Sequence, residues 1–328
     1  MQRTRIWVLA WFCVAGTLRL APAFATVRVT GPPRKIAGGE PELRLMRPVW
    51  SPDGSMLALT GENYRGLWVV GADGGGLRQL TDEFAAGYGM EWSLDSGAIL
   101  ARVAEFRGPI RYNAAKIFDL RTGETIQLTE YRTFMPELPH WADGIRRVAV
   151  AGRQNVEILD SRRQVASISK PIPHRFCYQS RGQMVIARDD GTPVATLDPF
   201  PGARYLNEVL SPDGEFLAFE VLGGDLYVAR VDGKELVHLG CGHRPQWAPD
   251  SRHLVFMVTE DDGHRYLASD LFCVRADGSG RTAITETPQI LEMNPSWSPD
   301  GRWIAFDVLE EGAIYLLPVE ILDEGEGR

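Results

Sequence analysis

The chain has 328 residues, 44% of them hydrophobic and 24% charged, with a net charge of −8. That balance excludes a disordered polymer and supplies apolar mass for a large core, while the acidic excess argues against nucleic acid as a partner. Its 34 glycines and 21 prolines, with no long helical pattern, point to many short strands joined by tight turns.

The first element stands apart from the fold. Arg3 and Arg5 precede an apolar run from Ile6 to Leu18, and the stretch ends at Ala23-Phe24-Ala25, the layout of a secretory signal cleaved after Ala25. The run is short for a bilayer and Arg19 interrupts it, so no stable membrane insertion is expected after signal removal. Bulky Trp11 and Phe12 ahead of Cys13 do not suit lipid attachment. Loss of residues 1–25 removes three arginines and no acid, taking the net charge to −11. Residues 26–328 are expected to form one domain, exported to the periplasm or the extracellular space and monomeric. Three cysteines remain, Cys177, Cys241 and Cys273. An odd number without a CxxC pair reads as small buried hydrophobes rather than a disulfide or metal framework.

From residue 49 onward one phrase recurs: VWSPDGSMLAL, EWSLDSGAILA, HWADGIRRVAV, YQSRGQMVIA, VLSPDGEFLAF, QWAPDSRHLVF and SWSPDGRWIAF. Its anchors are Trp50, Trp92, Trp141, Tyr178, Leu210, Trp247 and Trp297, spaced by 42, 49, 37, 32, 37 and 50 residues, which fits one four-stranded antiparallel sheet per repeat. After each anchor, Pro presets a turn, Asp bonds the following amides and Gly accepts a positive φ, so the phrase is a hairpin corner. A further strand (LWVVGADG, DLYVARVDG, DLFCVRADG) runs into an Asp-Gly turn, and a short outer strand (RQLT, IQLT, TAIT) ends the unit. The fourth repeat is the most eroded, with Tyr178 for Trp, Arg181 for Asp and no clear outer strand. A thin blade is expected there, and a count of six is the alternative to seven.

The two ends complement each other. The seventh repeat stops after its third strand, AIYLLPV at 313–319, whereas RKIAGGEPELRLMRPVWSPDG (34–54) matches the layout of RTAITETPQILEMNPSWSPDG (281–301). The strand near Arg34 therefore precedes repeat one with no sheet of its own, and in a ring it would complete the seventh sheet beside the strand holding Tyr315. The expected fold is an all-β propeller closed in this way.

These residues resemble the TolB-type, WD-like β-propeller repeat: Trp-Ser-Pro-Asp-Gly, an apolar strand, a Tyr-containing strand, an Asp-Gly turn and a terminal Leu-Thr. The resemblance implies the fold over essentially all of residues 26–328. TolB proteins also resemble an α/β domain followed by the propeller, and residues 26–49 are too few for such a domain, so a propeller-only relative is expected.

The anchor tryptophans are expected to pack between blades, and Asp53, Asp213, Asp250 and Asp300 to hold turns rather than calcium. No G-x-S-x-G elbow or phosphate loop occurs. Corners and Asp-Gly turns share one face, so the longer loops share the other, where recognition is expected. They carry Tyr64, Phe106, Tyr112, Tyr131, Phe134, Phe200, Tyr205 and Tyr266, with Arg65, Arg107, Arg111, Arg132 and Arg265 interleaved, a composition of interface cores. The reading is a non-catalytic scaffold without cofactor that binds a protein or peptide partner through this rim, with Glu260, Asp261, Asp262, Glu310 and Glu311 as an acidic flank. The alternative is a carbohydrate-active lyase or hydrolase: similar propellers, the oligogalacturonate lyases, hold a metal largely by histidines in the channel, and His140, His174 and His243 fall near innermost strands.

Overall fold

Each corner phrase turns an innermost strand back into a second strand, and the repetition builds a ring of seven sheets. The computed structural model describes residues 26–152, 155–163 and 174–322; the expected signal sequence, with Cys13, lies outside them. Blade one comprises Leu45–Trp50, Met56–Gly61, Leu67–Gly71 and Arg78–Thr81, and blade two Glu91–Trp92, Ala98–Arg107, Ile110–Asp119 and Thr125–Gln127. Among the described residues, blades three (His140–Trp141, Arg147–Ala151, Val156–Asp160) and four (Arg175–Ser180, Gln183–Arg188, Pro193–Leu197) have three strands. Blade five (Tyr205–Leu210, Phe216–Val221, Asp225–Arg230, Leu236–Cys241) and blade six (His243–Trp247, His253–Asp261, Tyr266–Arg275, Thr282–Ala283) are full. The eroded fourth repeat is thus a thin blade that still counts, and the six-bladed alternative falls.

Blade seven joins Glu292–Trp297, Trp303–Val308 and Ala313–Ile321 to the N-terminal segment. Arg34–Gly38 runs antiparallel to Ala313–Ile321, with Lys35 opposite Tyr315. Val27–Val29 pairs further along the same strand, Val27 opposite Ile321, a second closing ladder beyond the one expected.

Burial explains why the ring has no gap. Seven apolar clusters each draw residues from two adjacent blades, including Leu57 and Leu316 between blades one and seven and Leu100 with Trp141 between two and three. The anchor indoles add a polar tie. Trp92 Nε1 donates to the Val49 carbonyl (3.0 Å), Trp141 to Glu91 (3.1 Å), Trp247 to Val209 (3.0 Å) and Trp50 to Ser296 (3.2 Å). Every acceptor immediately precedes the anchor of the neighbouring blade, so the expected inter-blade role of these rings holds. Trp297 donates instead to Gly301 in its own corner, at 3.1 Å.

One irregularity of the inner strands positions the site. In blades one, five, six and seven the register shifts across the two residues that stand three and two positions before the anchor. At that bulge Arg47, Asn207, Arg244 and Asn294 take φ of 55°, 52°, 53° and 49°. Bulges of this kind re-aim a side chain at the cost of a strained backbone.

Candidate functional site

The corner face is occupied by its own turns. In blade one the Asp53 carboxylate accepts from Ser51 Oγ (2.7 Å) and the Ser55 amide (3.0 Å), while Ser51 Oγ accepts from the Met56 amide (3.0 Å). Asp213 and Asp300 repeat this arrangement, and Asp250 holds the amides of Arg252 and His253. These aspartates are turn residues, as expected. A groove of about 870 Å³ lies on this face, between the corners of blades five, six and seven. Its Asp250 is engaged with His253 Nδ1 at 2.6 Å and Asp300 with Ser298.

On the opposite face the hairpins of blades two and six project. Phe106, 56% exposed, meets Phe84 edge-on at 5.5 Å, and Arg107 stacks over Tyr112 at 4.5 Å. Phe134 is 42% and Tyr266 41% exposed, and Arg265 lies 3.6 Å from Asp262. The rim is not one patch: the two hairpins stand on blades separated by blades seven and one.

Three rim expectations are corrected. Tyr205 is fully buried in the inner strand of blade five, edge-on to Phe219, its hydroxyl donating to Asp198 (2.8 Å) and accepting the Phe200 amide (2.9 Å). A ring with so much apolar area is better placed against another strand than in water, and burial pushes its pKa up to about 12. Tyr131 packs half-buried on the core between blades one and two, and its hydroxyl donates to Glu83 (3.0 Å), which also pairs with Lys116 at 2.6 Å. It braces the scaffold. Phe200 likewise lies against Tyr227, with ring centroids 4.7 Å apart.

Tyr64 belongs to a different assembly, at the axial mouth. It meets Tyr88 edge-on at 5.0 Å, and Arg244 of blade six reaches it across the place of blade seven, Nη2 to hydroxyl 3.1 Å. The Arg47 guanidinium lies 5.8 Å from the Tyr64 ring centre and 5.6 Å from that of Tyr88, and Arg102 of blade two 5.7 Å from Tyr88. Burial, then the charge of Arg244, lowers the pKa of Arg47 to about 10.

Both bulge arginines are set by the same device. In blade seven, Asp307 Oδ1 accepts from the Asn294 amide group (2.9 Å) and from the Arg47 backbone N–H of blade one (2.8 Å). In blade five, Glu220 Oε1 accepts from the Asn207 amide group (2.5 Å) and from the Arg244 backbone N–H of blade six (2.6 Å). An asparagine at one bulge, a carboxylate on the next strand and an arginine at the neighbouring bulge therefore form a repeated unit.

The other side of the axis is acidic. His140 Nδ1 lies 3.3 Å from Glu91 and its ring stacks near Phe176. Burial opposes its charge, but the hydrogen bond and charge of Glu91, with Glu137 and Glu208 beyond, raise its pKa. Burial raises Glu137 and Glu208 as well. His243 is turned to Glu220 at 3.2 Å. His140, His174 and His243 are not brought together, and among the described residues no group of three or more His, Cys, Asp or Glu side chains is placed to hold a metal. This arrangement does not favour the metal alternative. Cys177 and Cys273 are buried thiols, raised by burial, and Cys241 is half-buried.

Arg47, Arg102, Arg244 and Tyr88 escape a reading based on loops, because the three arginines lie within strands. The signal was positional: Arg47 and Arg244 stand three residues before their anchors, as Asn207 and Asn294 do, and Arg102, Glu220 and Asp307 stand ten residues after theirs.

Among the described residues no helix is long and apolar enough to cross a membrane. No protein-family model matches the chain, and no curated protein matches its sequence. Solved structures do. The chain is similar to TolB from Acinetobacter baumannii at 16% identity, with a TM-score of 0.51 over 77% of this chain and 57% of that one. It is similar to the Cps50 (Swd1) β-propeller domain from Myceliophteria thermophila at 11% identity, with a TM-score of 0.60 over 88% of this chain and all of that one. For the oligogalacturonate lyase of Vibrio parahaemolyticus the identity is 15% and the TM-score 0.54, over 87% and 93%. At such identities the likeness shows the propeller fold alone, and the chain spans 57% of the TolB chain it matches.

Proposed function

We propose that the protein is an exported, non-catalytic propeller that takes a protein or peptide partner on its loop-rich face. The observation that carries this is the contrast between faces. The corner carboxylates are engaged by their own turns, whereas the opposite face projects two long hairpins bearing exposed Phe106 and Tyr266, with Phe134 between repeats. Exposed aromatics interleaved with arginine are the composition of binding hot spots. Export rests on the Arg3 to Ala25 stretch, and N-terminal sequencing of the secreted protein would start at Thr26.

The test is capture of a partner from the envelope fraction of the source cell by tagged protein, repeated with Tyr112, Phe134 and Tyr266 all changed to alanine. A protein retained by the parent is expected to be lost from the triple variant. Undiminished retention would reject this face as the docking surface.

A further inference from the structure

Resting on that reading, we propose that Arg47 and Arg244, walled by Tyr64 and Tyr88 at the axial mouth, form an anion site that takes a carboxylate of an acidic peptide segment. Two independent blades hold their arginines at positive φ, 55° and 53°, a conformation that costs of order 1 kcal/mol each and is kept only where the surroundings impose it. The same asparagine-carboxylate unit imposes it in both cases.

The guanidinium groups so presented are incompletely partnered. Arg244 donates to the Tyr64 hydroxyl, and Arg47 Nη1 and Arg102 Nε are buried without a hydrogen-bond acceptor. Among the described residues no carboxylate lies within ion-pair distance of Arg47, Arg102 or Arg244; the three guanidinium groups meet rings, a hydroxyl and the Met135 carbonyl. Buried guanidinium donors left this way carry a desolvation cost that an anion would remove. Three positive groups are therefore available in a protein whose net charge is −8.

Asp307 decides what kind of anion fits. It is 1% exposed, with Oδ2 unpaired, and its charge acts on both Arg47 and Arg244. The charge of Glu137 acts on Arg102. Negative charge near the arginines admits a monoanion and opposes a dianionic phosphate, while the planar guanidinium fork matches a carboxylate. Tyr88, 39% exposed, opens the site to the loop-rich face, so the carboxylate can arrive on a chain already resting on the rim.

The probe is fluorescently labelled acetyl-hexaglutamate amide, followed by anisotropy at low salt. Binding to the parent is expected, at least ten-fold weaker in Arg47→Gln and in Arg244→Gln, with no binding of the hexaglutamine analogue and no competition by equimolar inorganic phosphate. Arg244→Lys keeps the charge but loses the fork and should fall between. If Arg47→Gln does not fold, the two Arg244 variants carry the test alone. No binding to the parent, an unaltered affinity in Arg244→Gln, or displacement by phosphate would each overturn the assignment. Failure of the broader reading is separable: a partner lost from the triple rim variant but retained by Arg244→Gln rejects only the anion site, whereas hexaglutamate binding with capture unaffected by the rim changes rejects only the docking face.

Discussion

Lys35 lies directly opposite Tyr315 in the ladder that joins the N-terminal segment to the last strand of the ring. With Val27 opposite Ile321, the outer edge of blade seven is covered over most of its length. Deleting residues 26–40 would remove both ladders and the buried Val27 and Ala37, exposing a strand edge prone to pairing with other chains. The loss of roughly 3–5 kcal/mol corresponds to a fall of about 10 °C in melting temperature, measurable by calorimetry. A truncated protein melting with the parent would mean that the ring is held without this closure.

How far the sequence could be read follows from what each residue type has to satisfy. Most corners keep an anchor ring, an Asp and a residue tolerating positive φ, so the turn stays visible where the fourth copy has Tyr178 and Arg181 and the fifth has Leu210. Closure is visible because residues 34–54 repeat the layout of 281–301. The site is less legible, since loop membership does not say whether a ring lies in water or against a strand: Tyr205 and Phe106 have similar contexts, yet one is fully buried and the other 56% exposed. Arg47 and Arg244 read as ordinary strand residues until the bulge, a feature of pairing rather than composition, turns them to the axis.

Where a corner has serine in place of glycine, the structure supplies a reason. Ser96 keeps φ at 53° and its hydroxyl accepts the Asp53 amide of the preceding blade at 3.0 Å; Ser251 does the same for Asp213 at 3.1 Å. Ser96→Ala retains the strain and loses the acceptor, and should destabilise by about 1–2 kcal/mol. In Ser96→Gly relief of the strained φ offsets the lost bond, leaving stability within about 0.5 kcal/mol of the parent. Urea melts showing glycine worse than alanine would contradict this account.

Arg163 binds blade three to blade two from a fully buried position. Its Nε donates to Asp119 (2.8 Å), Nη1 to the Ile145 carbonyl (2.7 Å), Nη2 lies 3.6 Å from Asp95, and the group stacks 5.6 Å from the Trp141 ring. Arg163→Met leaves two largely buried carboxylates short of a partner, and a loss of about 3 kcal/mol is expected. Arg163→Lys, with one compact charge for three directed contacts, should recover only part of it. Chemical denaturation of both variants provides the check, and a methionine variant as stable as the parent would show that the tie is dispensable.

The pH dependence of stability follows from carboxylates displaced in opposite directions. Burial raises Asp307 from 3.8 to about 6 and Glu292 from 4.5 to about 7. The folded state therefore binds more protons than the unfolded chain between those limits, and the stabilisation present at low pH is lost as pH rises through 6 to 7. Asp95 and Asp119 behave oppositely: burial opposes their charge but is outweighed by the Ser93 hydroxyl and Arg163, so their contribution holds above 3.8 and disappears as pH falls below it. Stability should consequently be greatest near pH 4–5 and decline toward pH 8, by of order 2 kcal/mol for Asp307 alone. Asp307→Asn with Glu292→Gln should flatten the decline between pH 5 and 8 while leaving the acid limb in place, as followed by melting temperature across buffers. The decline persisting undiminished in that double variant would assign it to other groups, of which His140, also raised, is the first to replace.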